Sequence, residues 1–269
     1  MRPADSEVRQ ERRAAAIGAI DSGADALDRA VAADVLLRHL FVPPARRIEG
    51  VQYAALYRFA EKYSGGDVID VYQCNGNTVC FSLTDISGKG ATAALHAGLV
   101  KYGIRAFASE GHRPAVAIDA LNRFYHQNNA FEHGTSFATV FFASIDLDKR
   151  RLTYASAGHE PVLMVWPDGM VEILSPTGPV VGIFDESPDL FFDRTIDLEP
   201  GAVLLAASDG ITEARHEGVL FGMDRMGEVV RRHRTASMRE VATSVVHAAV
   251  EFAGTRVVDD MAVLAARLE

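Results

Sequence analysis

Aspartates at the ends of strand-like runs recur through this sequence. Asp67 stands in Ser64-Gly65-Gly66-Asp67, Asp85 in Thr84-Asp85-Ile86-Ser87-Gly88-Lys89-Gly90, and Asp209 in Ser208-Asp209-Gly210. Asp259 and Asp260 directly precede the last apolar run, and Asp70 follows Asp67 within a run of its own. A strand end delivers its side chain to a loop held on a rigid scaffold. If these ends converge, three or four carboxylates share a small volume. Two carboxylates about 4 Å apart repel by roughly 4 kcal/mol at an effective dielectric near 20. Protons or cations must then neutralise them. Oxygen donors without His or Cys favour Mg²⁺ or Mn²⁺ over zinc or copper. Two such ions roughly 3.5–4 Å apart can activate a shared water and polarise a phosphoryl oxygen, which suits phosphate-ester hydrolysis without a protein nucleophile. Aspartate in a turn also has a local use, because its carboxylate bonds nearby backbone amides. Periodicity does not show which use each residue serves.

The elements that must position these residues follow from apolar spacing. Ala24 to Leu40 reads as a helix, with Leu27, Val31 and Val35 at steps of four. Pro43-Pro44 ends it, giving an expected division into an N-terminal helical extension, 1–45, and a domain over 46–269. From Val51 the period becomes two, the mark of a strand with one buried face. Further strands are expected over Val68–Cys74 and Val79–Leu83, joined by a hairpin turn at Asn75-Gly76-Asn77. Two helices follow, the first with Leu95, Leu99, Tyr102 and Ala106 on one face, the second with Ile118, Leu121 and Tyr125. More strands come next: Phe137–Ile145, Arg151–Ser156, Val162–Trp166, Val171–Leu174, Leu190–Leu198 and the wholly apolar Ala202–Ala207. Asp224–His233 and a helix opened by the capping pattern Ser237-Met238-Arg239-Glu240 precede a final strand, Met261–Arg267. Grouped strands and grouped helices indicate α+β packing, with two antiparallel sheets face to face and helices outside.

The composition excludes several classes. With 27 Lys and Arg against 36 Asp and Glu, the net charge is −9, so no broad basic surface exists for nucleic acid or anionic lipid. The two cysteines, Cys74 and Cys80, lack the partners of a zinc framework and suit a reducing, cytoplasmic setting. No run is apolar enough to span a membrane, and the charged N-terminus does not read as a signal peptide. Ser87-Gly88-Lys89-Gly90 lacks the spacing of a phosphate-binding loop: Leu83 stands where that loop needs Gly, and Gly90 where it needs Ser or Thr.

Five motifs, in order, carry a family resemblance. They are Gly65-Gly66-Asp67-Val68-Ile69-Asp70, Asp85-Ile86-Ser87-Gly88-Lys89-Gly90, Ser156-Ala157-Gly158-His159-Glu160-Pro161, Ser208-Asp209-Gly210-Ile211-Thr212-Glu213-Ala214 and Asp259-Asp260-Met261. The sequence resembles the bacterial PPM phosphatases of the SpoIIE/RsbU type, relatives of protein phosphatase 2C. The resemblance implies a β-sandwich flanked by helices, a site for two Mn²⁺ or Mg²⁺ ions, and release of phosphate from Ser or Thr of a protein. It implies Asp67, Asp85, the carbonyl of Ile86, Asp209 and Asp259 as metal ligands, with Asp85 and Asp209 central to catalysis. Asp70 and Asp260 are further candidates for the metal or its surround, and Lys89 and His159 for contact with phosphate; His159 can instead brace its own turn. Ser87 stands where 2C-type relatives carry His, which leaves the general acid unassigned, and Ala262 replaces a usual Thr. The implied partners are a phosphorylated STAS-type anti-sigma-factor antagonist, an upstream activator protein and a second copy joined through the N-terminal helix. The rival reading is a phosphatase-fold regulatory protein of little or no activity that binds a signalling partner.

Overall fold

The computed structural model describes residues 39–44, 46–59, 66–88, 90–129, 136–184, 189–254 and 259–269, without the side chains of 91, 128 and 129. The helix expected over Ala24–Leu40 lies outside these residues except at its end, as do Gly65 and Lys89. Twelve strands are described. They are β1 (Val51–Arg58), β2 (Val68–Gln73), β3 (Thr78–Ile86), β4 (Ala138–Asp146), β5 (Arg151–Ala157), β6 (Val162–Val165), β7 (Val171–Leu174), β8 (Arg194–Asp197), β9 (Val203–Ala207), β10 (Arg215–His216), β11 (Val219–Leu220) and β12 (Met261–Leu268). The helices are α1 (Gly90–Ser109), α2 (Pro114–Asn129), the single turn α3 (Asp209–Thr212), α4 (Gly222–His233) and α5 (Met238–Ala253).

Ten of the strands form two antiparallel five-stranded sheets, ordered β1-β12-β9-β6-β7 and β2-β3-β4-β5-β8. Strand alternation divides their side chains between two layers. Ile69, Phe81 and Phe141 of one sheet pack with Met164, Leu204 and Leu264 of the other, which forms the core of the sandwich. The alternate residues of the first sheet, Leu163, Leu205 and Val263 among them, pack with Met226, Val230, Val241 and Val245 of α4 and α5. Both faces of β9 are therefore buried, which is why Val203–Ala207 is apolar at every position. The expected α+β sandwich is the observed architecture.

Two local expectations are resolved differently. Ser237 does cap α5, accepting the backbone N–H of Glu240 at 3.2 Å. The face of α1, however, is not the one that hydropathy selects. Leu95 and Tyr102 are exposed, whereas Ala97, Val100, Ile104 and Ala108 are buried. Small and β-branched residues let the helix lie close to the sheet. Lys101, on this inner face, reaches Asp70 of β2 at 3.7 Å and donates to the carbonyl of Leu40 at 2.7 Å.

Candidate metal centre

The end of β3 and the start of β2 place the first two carboxylates. The β2–β3 register pairs Val68 with Thr84, and the Ile86 N–H donates to the Gly66 carbonyl at 3.2 Å. Asp67 thus stands opposite Asp85, where cross-strand side chains are about 5 Å apart. Asp85 lies inside the strand, paired with Thr139 of β4, and not in a turn as the sequence suggests. Gly66 is required by this approach: a Cβ there would meet the Ile86 carbonyl oxygen at 2.6 Å.

The other sheet supplies the facing group. β9 ends at Ala207 and β12 begins at Met261, and the Ser208 N–H donates to the Ala262 carbonyl at 3.0 Å while the Ser208 hydroxyl accepts the Ala262 N–H at 3.0 Å. Asp209 opens the turn α3. Gly210 lies so close to the Asp259-Asp260 backbone that a Cβ would fall 1.9 Å from the Asp260 carbonyl oxygen. Asp259 is exposed and its carboxylate accepts the Asp260 N–H at 2.9 Å; Asp260 is buried and accepts the Tyr57 hydroxyl at 3.0 Å.

Electrostatics show which of these groups share one environment. Burial pushes the Asp67 carboxyl well above its ordinary range, and the charge of Asp85 adds to this; a hydrogen bond from Ser208 opposes it, while Asp209 and Asp260 raise it further. Asp85 is pushed up to about 6, first by burial and then by Asp209, Asp259, Asp260 and Glu160. Glu160 is raised too, chiefly by burial, against a hydrogen bond from Thr212 at 3.3 Å. Burial also raises the Tyr57 hydroxyl, with Asp67 and Asp260 next in effect. Sequence reading missed Glu160 and Tyr57. Glu160 had an available signal, because it sits in a glycine turn after a strand as the aspartates do. Tyr57 had none, since it reads only as one member of an alternating strand.

Two candidates belong elsewhere. Asp70 is fully buried on the helix-facing side of β2 and is clamped by Arg105, whose Nη2 donates at 2.6 Å and whose Nε also donates, with Lys101 beside it. Its charge is already paired with α1, and it is not among the largest influences on Asp67 or Asp85. His159 is 2 % exposed, its Nδ1 is 2.9 Å from the Thr139 hydroxyl, and its Nε2 is enclosed without a hydrogen-bond partner among the described residues. Burial lowers it to about 3. Buried and neutral, His159 stands against Thr139 of β4, the residue paired with Asp85.

The donor chemistry fits hard divalent cations. Asp67, Asp85, Asp209, Asp259 and Glu160 bring oxygen and excess negative charge, and glycine removes side-chain bulk at two approaches. Among the described residues no three His, Cys, Asp or Glu side chains close on one point as a finished ligand set.

Comparison with known proteins agrees with this arrangement. The family described as stage II sporulation protein E (SpoIIE) matches residues 75–269. Phosphoserine phosphatase RsbU of Bacillus subtilis is 29 % identical over 191 residues, covering 71 % of this chain and 56 % of RsbU, so the chain spans about half the length of that relative. The SiaA-PP2C domain of Pseudomonas aeruginosa superposes with a TM-score of 0.76 at 19 % identity, over 90 % of this chain and 96 % of that domain. RsbX, crystallised in complex with magnesium, superposes with a TM-score of 0.64 at 18 % identity, over 84 % and 99 % of the two chains. These likenesses establish the fold as that of PP2C phosphatases, and with the family match over most of its length the chain belongs to the SpoIIE family of PP2C-type phosphatase domains.

Proposed function

We propose that this chain is a Mn²⁺- or Mg²⁺-dependent protein phosphatase that releases phosphate from Ser or Thr of a small regulatory protein. The observation that carries the reading is the group of mutually destabilised carboxylates around Asp85, drawn from both sheets. Two divalent ions bound there would neutralise the group, polarise a phosphoryl oxygen and activate water as the nucleophile. Asp67, Asp85, Asp209 and Asp259 would hold the ions with the Ile86 carbonyl. Ser208 and Tyr57 orient carboxylates without competing as ligands. The general acid is a solvent molecule in this reading, because His159 is enclosed. The phosphoserine activity in RsbU's name supports the substrate class, and the magnesium in the RsbX structure supports the ion class.

The same reading takes a phosphorylated anti-sigma-factor antagonist as substrate, an upstream protein as activator, and the cytoplasm as location. The free thiols Cys74 and Cys80, and the lack of a helix long and apolar enough to cross a membrane among the described residues, are compatible with that location. Residues 1–42 would join two copies or couple a partner to metal binding. Light scattering and Mn²⁺ titration of the full chain and of a chain lacking 1–42 test this; identical mass and affinity would remove it.

Catalysis is tested by phosphate release from a phosphoserine protein with Mn²⁺ or Mg²⁺. The expected result is metal-dependent release that falls at least about 10²-fold in Asp85→Asn and in Asp209→Asn, each still folded. An inactive wild type under both ions would overturn the proposal.

A further inference from the structure

At the end of β3 remote from Asp85 the sheet carries a second, chemically distinct concavity. β3 runs nine residues from Thr78 to Ile86, so the two ends lie about 25–30 Å apart. At the Thr78 end a cavity of about 470 Å³ opens between the β2–β3 hairpin, the loop joining α1 to α2, and the outer face of β3, β4 and β5. This volume falls within the range of small-molecule sites.

Its floor sets polar side chains beside Phe142, where a helix-covered sheet would be apolar throughout. The strand registers place Cys80 beside Ser144, Ser144 beside Thr153 and Thr153 beside Thr195. Neighbours on either side, such as Val79, Phe81, Ile145 and Leu152, point into the sandwich core, so this row faces outward. α1 stops short of it, held there by Cys74 and Asn75, which donate to the carbonyls of Ala108 and Ser109. The rim carries three permanent cations, Arg113, Lys149 and Arg151, together with His112 and the carboxylate of Asp146. Arg113, Lys149 and Arg151 each rest on one carboxylate, Asp193, Asp146 and Asp197, at 3.1, 2.7 and 2.7 Å, with cation side chains that are 48–68 % exposed. The pairs of Lys149 and Arg151 are solvated, weak and exchangeable, and a polyvalent oxyanion can accept from several of these donors at once.

We propose that this cavity binds a small soluble oxyanion, a phosphorylated or carboxylated metabolite, held by Arg113, Lys149 and Arg151 over the hydroxyl row of Ser144 and Thr153. The site is separate from the carboxylate centre and does not depend on the phosphatase reading. Cys74 lines it and serves as the reporter.

The experiment uses the full chain in chelator, so that no divalent ion recruits phosphate elsewhere, and locates labelled Cys74 by peptide mass mapping. Labelling by the dianionic 5,5′-dithiobis(2-nitrobenzoate) is compared with labelling by neutral 4,4′-dithiodipyridine, each relative to a free cysteine peptide. The expected result is a preference for the dianion that fades with sodium chloride. Inorganic phosphate or citrate then slows labelling by about tenfold at ten times its Kd, and whichever protects at lower concentration identifies the metabolite as phosphorylated or carboxylated. The double variant Lys149→Gln/Arg151→Gln, altered only at exposed side chains, loses both effects. Equal labelling by the two reagents overturns the proposal. So does the absence of protection by either anion at millimolar concentration, or protection that survives in the double variant.

Discussion

Asp85 is the residue at which stability and the proposed function conflict. Its carboxyl is pushed up to about 6 by burial and by four neighbouring acids. The folded chain therefore holds that proton more tightly than the unfolded chain does. The associated stability is complete at pH below about 4 and is lost as pH rises through about 6. Asp85→Asn should raise the stability of metal-free protein at pH 7.5 by about 1–3 kcal/mol, measured by urea unfolding, while abolishing phosphate release. Adding Mg²⁺ or Mn²⁺ should raise the melting temperature of the wild type far more than that of this variant. His159 has the opposite sign. Lowered to about 3 by burial, it contributes stability present above about 6.5 and lost as pH falls toward 3, by up to about 1.4 kcal/mol per pH unit. His159→Gln should flatten that limb of a stability-against-pH curve; an unchanged slope would show that the imidazole is hydrated. At this scale the sequence is legible where chemistry and local setting coincide. Asp67, Asp85 and Asp209 each declare themselves by a glycine beside a strand. His159 does not, because nothing in a motif tells whether its imidazole points at phosphate or at Thr139.

Glycines and one buried ion pair govern how the elements meet. Gly210 lets the turn α3 lie against the Asp259-Asp260 backbone, and an added methyl would overlap the Asp260 carbonyl. Gly210→Ala should cost about 1–3 kcal/mol or more and weaken metal-dependent stabilisation beyond that, since Asp209 and Asp259 flank the contact; calorimetry with and without Mn²⁺ separates the two. Asp70 ties α1 to β2 through Arg105 and Lys101. Removing one partner from a buried pair is expensive, so Asp70→Ala should destabilise by about 3–5 kcal/mol in chemical denaturation. Mn²⁺ should still stabilise the folded fraction, which a ligand substitution would not allow. The same pair explains the misread face of α1. Hydropathy alone favours Leu95 and Tyr102 over Lys101, and the carboxylate on β2 together with the Leu40 carbonyl makes burial of that lysine tolerable. For α2 no such charge intervenes, and the expected Ile118, Leu121 and Tyr125 are buried.

Across the whole molecule the sandwich was readable because β9 is apolar at every position, which requires cover on both faces. Strand order was not readable, since no local pattern states that β12 inserts between β1 and β9. That insertion makes β12 the seam of its sheet: Leu264 faces the sandwich, Val263 faces α4 and α5, and its start carries Asp259 and Asp260. A chain ending at residue 258 should show no cooperative thermal unfolding by circular dichroism. There is a consequence for the protein's birth. Met261–Leu268 leaves the ribosome after every other strand described, yet β1, the earliest of those strands, has no sheet partner among them until it arrives. A nascent chain can pair β2 with β3 and so set Asp67 opposite Asp85, but the hydroxyl of Ser208 lacks the Ala262 N–H and the site lacks its last carboxylates. On the proposed function, phosphate release would await β12, and products terminated before Met261 would leave a phosphoprotein substrate untouched.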